Sequence, residues 1–166
     1  IGACLALPNA RVVLTEGDGG FAQNLQELGT VALRGLNMKI FVMSNRGYAS
    51  IRMTQRNYYN GAYVGCDTQT GLGLPDFERL ASVWDIPFRR LSPGWTDDPG
   101  FRELFDADGP VLFEVPVSQE QTYWPKIGSR VTAAGSMVSA PLHLMSPDLT
   151  EETTVKVMPY ILDREA

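Results

Sequence analysis

Two apolar runs, each followed by a polar turn that contains glycine, most constrain the fold of this chain. Residues 11–15 lead into Glu16-Gly17-Asp18-Gly19-Gly20, and residues 38–43 lead into Ser44-Asn45-Arg46-Gly47-Tyr48. Between them, apolar residues recur every three to four positions from Phe21 to Leu36, a spacing that predicts an amphipathic helix. Strand, helix and strand then form one βαβ unit with a right-handed crossover and two parallel strands.

The remaining sequence continues the alternation of strands and helices. A helix is predicted over 76–83, a short strand over 88–91, a helical face over 101–105 and a last strand over 111–115. This order predicts an α/β fold, a doubly wound and mostly parallel sheet with helices on both faces. Beyond residue 118 the periodicity is weak, and Ser146-Pro147-Asp148 predicts the start of a further helix.

The carboxylate of Asp18 is unusual in a glycine-rich turn. Glycine lets backbone N–H groups close around a phosphate, but an aspartate there repels it by about 4 kcal/mol at 4 Å and an effective dielectric of 20. A divalent cation between carboxylate and diphosphate removes this conflict, with Asn45 as a second oxygen ligand, and Mg²⁺ favours such oxygens. Both residues follow strands that emerge at one edge of the sheet, about 4.8 Å apart if the strands are neighbours.

Two other interpretations of the turn remain open. A dinucleotide-binding turn has a third glycine that Gly17-Asp18-Gly19-Gly20-Phe21-Ala22 lacks, and it would leave a bare carboxylate at the pyrophosphate. Alternatively, Asp18 caps the following helix, which aspartates commonly do. That interpretation accounts for Asp18 alone and leaves Asn45 with its neighbours unexplained. The cation hypothesis accounts for both turns.

Composition excludes several classes of function. A net charge of −5 and a pI near 4.8, without any basic stripe, argue against a nucleic-acid partner. No apolar run approaches the length of a membrane span. Cys4 and Cys66 lie far apart, which predicts no disulfide framework and a cytoplasmic protein. His143 is the only histidine, which argues against a histidine triad or a histidine zinc site within this chain.

The paired turns resemble the cofactor motif of thiamine-diphosphate-dependent enzymes, and the surrounding residues resemble the acetolactate synthase type. The motif is a Gly-Asp-Gly turn, a helix, a strand and an Asn-Asn pair; here Ser44 replaces the first asparagine. The resemblance to the acetolactate synthase type is carried by residues 16–21, 24–28, 45–51 and 75–77. It implies a thiamine-diphosphate-binding domain over 1–117, truncated at its N-terminus, and a C-terminal tail over 118–166 that packs on this domain or on neighbouring ones.

The same resemblance implies a binding role for particular residues. Asp18, Asn45 and the carbonyl of Gly47 would bind Mg²⁺, which holds the cofactor diphosphate. The resemblance further implies that Gly17, Gly19, Gly20 and the backbone around Tyr48 face the diphosphate, and that Ser50 and Ile51 lie near the thiazolium. No catalytic side chain is assigned, because the glutamate that activates the cofactor belongs to a different domain of the family.

The implied function is cofactor anchoring in an enzyme that decarboxylates a 2-keto acid and adds the product to a second carbonyl. Another thiamine-diphosphate-dependent decarboxylase, or a degenerate domain kept for assembly, remains an alternative. The resemblance implies a pyrimidine-binding and a middle domain before Ile1 and a homo-oligomer, so this chain alone would be inactive. Residues 52–61 are predicted to be a short helix running into a loop, as a lid over the cofactor, with Arg52 and Arg56 as solvated surface residues rather than substrate contacts.

Overall fold

The computed structural model describes residues 1–121 and 124–159, which belong to two compact units, Ile1–Gln121 and Thr122–Ala166. The helices of the first unit are α1 (Gly2–Ala6), α2 (Asp18–Phe21), α3 (Glu27–Leu33), α4 (Ala49–Tyr58), α5 (Phe77–Val83) and α6 (Pro99–Asp106). Its strands are β1 (Val12–Gly17), β2 (Met38–Ser44), β3 (Phe88–Arg90) and β4 (Val111–Pro116). Over these described ranges, no helix has both the length and the apolar character that crossing a bilayer requires.

The four strands form one parallel sheet in the order β1-β2-β4-β3. In the first pair, Val12 is opposite Met38 and Gly17 is opposite Met43, so the two strands end side by side. The predicted βαβ unit and the mostly parallel α/β sheet are therefore confirmed. The turns after β1 and β2 leave the sheet at the same edge.

Apolar side chains cover both faces of the sheet, as expected for a doubly wound fold. On one face, α3 and α5 contribute Leu28, Val31, Phe77 and Ala81 to a cluster with Ile40, Val42 and Leu112. On the other face, a cluster joins Phe41, Leu91, Phe101, Val111 and Phe113. The central strands β2 and β4 are thus buried on both sides. The edge strand β1 is more exposed, and its pairing with β2 holds the ends of the two strands side by side.

Lys39 is a buried cation within this sheet. Its Nζ donates hydrogen bonds to the carbonyl oxygens of Ala107 and Gly109 at 2.7 and 2.6 Å. Desolvation lowers the pKa of Lys39, with a further contribution from the charge of Arg11. The lysine fastens the loop before β4 to the amino half of β2, away from the turns that follow the strands.

The connection between β1 and β2 corrects one expectation. The predicted continuous helix from Phe21 to Leu36 is wrong, because α2, a 3₁₀ turn over Ala22–Asn24 and α3 replace it. The break falls at residues 22–26, where Asn24 is a poor helix former, whereas Gly29 is accommodated within α3, so tertiary packing as well as propensity determines where each short segment ends. The apolar residues at the predicted spacing still face the sheet, since Phe21, Leu28 and Leu36 belong to its buried cluster.

Within residues 124–159, the second unit has two small antiparallel pairs and one helix. The strands are β5 (Lys126–Ile127), β6 (Ser129–Val131), β7 (Met137–Ser139) and β8 (Met145–Ser146), and the helix is α7 (Glu151–Val157). The helix start predicted at Ser146 is wrong: Ser146 belongs to β8, and Thr150 caps α7 by accepting from the N–H of Thr153 at 3.2 Å. Two glutamates in the first turn suit that later start electrostatically.

Candidate functional site

Asp18 joins the two turns at the carboxyl ends of β1 and β2. Its side chain is almost fully buried, with 1% of its surface exposed. One carboxylate oxygen, Oδ1, accepts from the N–H of Gly19 at 2.8 Å, and the other, Oδ2, accepts from the N–H groups of Arg46 and Gly47 at 2.6 and 3.2 Å. A residue in the first turn therefore organises the backbone of the second.

Asn45 directs its side-chain oxygen at the same place. Its Oδ1 accepts from the N–H of Gly47 at 3.1 Å, and Asp18 Oδ2 lies 3.2 Å from that same nitrogen. Since Asp18 Oδ2 and Asn45 Oδ1 lie 3.2 and 3.1 Å from one nitrogen, the two oxygens are separated by at most the sum of these distances. The sheet thus brings together the two side chains that the sequence analysis selected. That they bind a cation stays a prediction.

The environment of Asp18 suits a hard cation. Burial raises the pKa of Asp18, and the backbone hydrogen bonds from Gly19, Arg46, Gly47 and Asn45 oppose that shift. A bound cation would favour the charged form of the Asp18 carboxylate and offset the free-energy cost of burying that charge. In the described part of the chain, no three His, Cys, Asp or Glu side chains group together. The side-chain oxygens that meet here are one carboxylate and one amide. Mg²⁺ takes this set readily, and the residues present fit it.

Close packing explains glycine at two positions of the motif. A Cβ added at Gly19 would lie 2.3 Å from the ring of Tyr48, and one added at Gly47 would lie 2.2 Å from the carbonyl oxygen of Cys66. Both distances are far shorter than a normal contact. A Cβ at Gly17 would meet nothing within 4 Å, which leaves open space beside the first turn. Gly19 and Gly47 therefore allow the two turns to touch each other and their neighbours.

A third segment, which the sequence analysis missed, supports the second turn. Asp67 pairs with Gly47 in an isolated antiparallel bridge, and the N–H of Tyr48 donates to the carbonyl of Cys66 at 2.8 Å. Asp67 is buried, with 3% of its surface exposed, and it forms an ion pair with Arg52. The prediction that Arg52 is an ordinary solvated residue is therefore wrong. The signal was a turn sequence, Asp67 to Thr70 between two glycines.

Ser50 and Ile51 lie in the first turn of α4. Both are exposed, and with Thr54, Gln55, Tyr59 and Ala62 they line a surface groove of about 480 Å³. Asp18 and Asn45 are not among the described residues that line it. The position of Ser50 and Ile51 near the thiazolium stays a prediction. Tyr48, by contrast, contacts the first turn directly, because its ring packs against Gly19.

A parallel α/β sheet with a carboxylate and an amide converging at its carboxyl edge defines a class of ligand-binding domain. Residues 1–115 match the family model described as thiamine pyrophosphate enzyme, C-terminal TPP binding domain. The chain belongs to this family and has its thiamine-diphosphate-binding domain, as the sequence motif predicts. Within the family it is similar to acetolactate synthases.

The similar sequences include acetolactate synthase large subunits. The protein of Pyropia yezoensis is 32% identical over 127 residues, which cover 76% of this chain and 21% of that protein. The isozyme 2 large subunit of Escherichia coli K12 is also 32% identical over 127 residues, with 76% and 23% covered. The chain therefore spans less than a quarter of the length of these relatives.

Solved structures share the fold. A thiamine diphosphate-dependent 4-hydroxybenzoylformate decarboxylase from Rhodococcus jostii RHA1 aligns with a TM-score of 0.62 at 24% identity, covering 71% of this chain and 22% of that one. Benzoylformate decarboxylase from Polynucleobacter necessarius aligns with a TM-score of 0.61 at 18% identity, covering 73% and 22%. At these identities the likeness concerns the fold alone.

Proposed function

We propose that this chain anchors thiamine diphosphate through Mg²⁺ in a 2-keto acid carboligase that resembles acetolactate synthase. The observation that carries the proposal is the convergence of Asp18 Oδ2 and Asn45 Oδ1 on one backbone N–H, that of Gly47. A buried carboxylate with a raised pKa gains most from a cation beside it. The family match makes a diphosphate the natural partner of that cation.

In this proposal, each residue acts on position or charge. Asp18 and Asn45 supply side-chain oxygens to Mg²⁺, and the carbonyl of Gly47 supplies a third. The backbone of Gly17, Gly19 and Gly20 faces the diphosphate, where a larger side chain would stand between backbone and phosphate. When bound, thiamine diphosphate supplies the electron sink for decarboxylation of a 2-keto acid. The chain's contribution is to fix the charged end of the cofactor so that the reactive ring is oriented.

A carboligase fits better than a simple decarboxylase. The sequences at 32% identity are named acetolactate synthases, whereas the solved decarboxylases are 18% and 24% identical and share only the fold. In a degenerate domain retained only for assembly, Asp18 would still hold the backbone of the second turn through its hydrogen bonds. A functional cofactor domain is favoured because Asn45 directs a second oxygen at the same place, as a cation site requires.

The rest of the proposed enzyme lies outside this chain, which spans 21% to 23% of those two relatives. We propose that a pyrimidine-binding domain and a middle domain complete the site, in a cytoplasmic homo-oligomer. Its substrates would be 2-keto acids. The turns described here hold only the diphosphate end of the cofactor, so turnover depends on the other domains.

Calorimetric titration tests the proposal. Thiamine diphosphate is titrated into the chain with and without Mg²⁺, and into Asp18→Ala and the matched control Asp148→Ala. Asp148 is exposed and remote in sequence from both turns. We expect binding to require Mg²⁺, to be lost in Asp18→Ala and to persist in Asp148→Ala. Binding that is insensitive to both Mg²⁺ and Asp18→Ala would contradict the proposal.

A further inference from the structure

The backbone of Gly47 is held from two sides. From within the motif, its N–H is shared by Asp18 and Asn45. From outside, residues 66–67 lie against it so closely that a Cβ on Gly47 would be 3.1 Å from both Cα and Cβ of Asp67. The bridge uses the N–H of Tyr48 and the carbonyl of Cys66, so Gly47 occupies its non-hydrogen-bonded position. Its own carbonyl is therefore not used by the bridge.

Asp67 is fixed by a dense set of hydrogen bonds. Its Oδ1 accepts from the backbone N–H of Gln69 and of Thr70 at 3.1 and 2.9 Å and from the hydroxyl of Thr70 at 2.8 Å. The Thr70 hydroxyl oxygen in turn accepts from the N–H groups of Cys66 and Asp67 at 3.0 and 3.1 Å. The hydrogen bond from Thr70, together with the charge of Arg52, lowers the pKa of Asp67. The carboxylate is thus held charged and in one orientation.

Arg52 connects this loop to α4, the helix that begins directly after the second turn. Its Nη2 pairs with Asp67 Oδ2 and donates to Gln119 Oε1 at 3.2 Å, and its guanidinium lies 5.3 Å from the ring centre of Tyr63. Only 16% of its side chain is exposed. The turn around Gly47 is therefore enclosed between β2, α4 and the loop that carries Asp67. An ion pair with so little exposure is costly to break from one side.

We propose that Asp67 is a positioning residue for the cation site: with Arg52 and Thr70 it holds residues 66–67 against Gly47 and so fixes the Gly47 carbonyl for the metal. This inference rests on the proposed function, because it assigns a role at the same site. Groups that orient metal ligands without touching the metal typically change metal affinity by about 10–100-fold when they are removed. A loop with a purely structural role would change stability and leave the affinity of the folded protein unaltered.

The test measures metal affinity directly. Electron paramagnetic resonance counts Mn²⁺ bound to the whole chain in the presence of thiamine diphosphate or inorganic diphosphate, at temperatures where circular dichroism shows each variant folded. We expect Asp67→Asn to weaken Mn²⁺ binding by about 10–100-fold. Asp98→Asn is the matched control, because Asp98 also pairs with an arginine and accepts a backbone N–H at a helix start, in α6. Its affinity should equal that of the wild type.

A second pair of variants avoids loss of the charge. Thr70→Val removes the hydroxyl at the centre of the loop, and Thr70→Ser restores it. We expect weaker Mn²⁺ binding in Thr70→Val and recovery of binding in Thr70→Ser. If Asp67→Asn does not fold, these two variants test the positioning role. Wild-type affinity in folded Asp67→Asn or in Thr70→Val would overturn the inference and leave the proposed function standing. A wild-type chain that binds no Mn²⁺ with either diphosphate would instead refute the proposed function.

Discussion

Replacing Gly47 by alanine tests the packing of the second turn most severely. The added Cβ would lie 2.2 Å from the carbonyl oxygen of Cys66, against at least 3.4 Å for an ordinary contact, so the two backbone segments must separate by more than 1 Å. A backbone carbonyl within a bridge cannot rotate away as a flexible side chain does. Overpacking of this kind costs about 1–3 kcal/mol. For a chain of this size that lowers the melting temperature by about 2–12 °C.

The same displacement should affect ligand binding more than stability. Gly47 contributes the N–H on which Asp18 and Asn45 converge, and misplacing such a group by about 1 Å costs on the order of 100-fold in function. Thermal unfolding followed by circular dichroism and Mg²⁺-dependent titration of thiamine diphosphate measure the two effects. Gly73→Ala is the control, since a Cβ at the exposed Gly73 meets nothing within 4 Å. If Gly47→Ala matched Gly73→Ala in both stability and affinity, the reasoning would be refuted.

Three further predictions concern the turn, its charge and the core. Gly19→Ala places a Cβ 2.3 Å from the Tyr48 ring, so we expect weaker cofactor binding. Adding Tyr48→Ala to the same chain removes the clash and should partly restore binding. Titration calorimetry that finds no restoration would contradict the contact. Burial raises the pKa of Asp18. In the cation-free protein this group therefore adds to the free energy of unfolding at acid pH, and the contribution is lost as pH rises through the raised pKa. Stabilisation by Mg²⁺ grows over the same pH interval. Urea unfolding of the wild type and Asp18→Asn between about pH 4 and pH 7 tests this expectation. If the two proteins differ in free energy of unfolding by the same amount at every pH in the absence of Mg²⁺, the expectation is refuted. Ile40 lies in the sheet centre with 1% of its surface exposed, so Ile40→Val should lower the free energy of unfolding in urea by about 0.5–1.5 kcal/mol and leave cofactor affinity unchanged. A loss of binding free energy of the same size would show that packing in the core affects the cofactor site.

The sequence predicts the fold well where one physical signal dominates. Apolar runs of strand length appear as β1, β2 and β4, and parallel pairing follows from the crossover between them. The same argument predicts that Asp18 and Asn45 meet, because strand ends in a parallel sheet share an edge. The predicted helix from Asp76 is also found, with Asp76 accepting from the N–H of Arg79. Each of these depends on local pattern together with one topological rule.

The parts that the sequence does not predict depend on long-range packing. Asp67 follows Gly47 by twenty positions in an irregular loop, and no periodicity links a loop to the turn against which it folds. The partner of Arg52 could not be named for the same reason. Ser146-Pro147 has the residues of a helix start, yet Ser146 belongs to a strand, because pairing with β5 outweighs a local preference. Local propensity is weak compared with such contacts.

In the proposed site, a single cation links Asp18 and Asn45 to a diphosphate. Electron–nuclear double resonance on the chain with Mn²⁺ and thiamine diphosphate measures this link directly through the hyperfine coupling between the metal and phosphorus. We predict a strong ³¹P coupling in the wild type, and loss of the bound Mn²⁺ signal in Asp18→Asn. Bound Mn²⁺ without phosphorus coupling, or coupling that persists unchanged in Asp18→Asn, would contradict the claim.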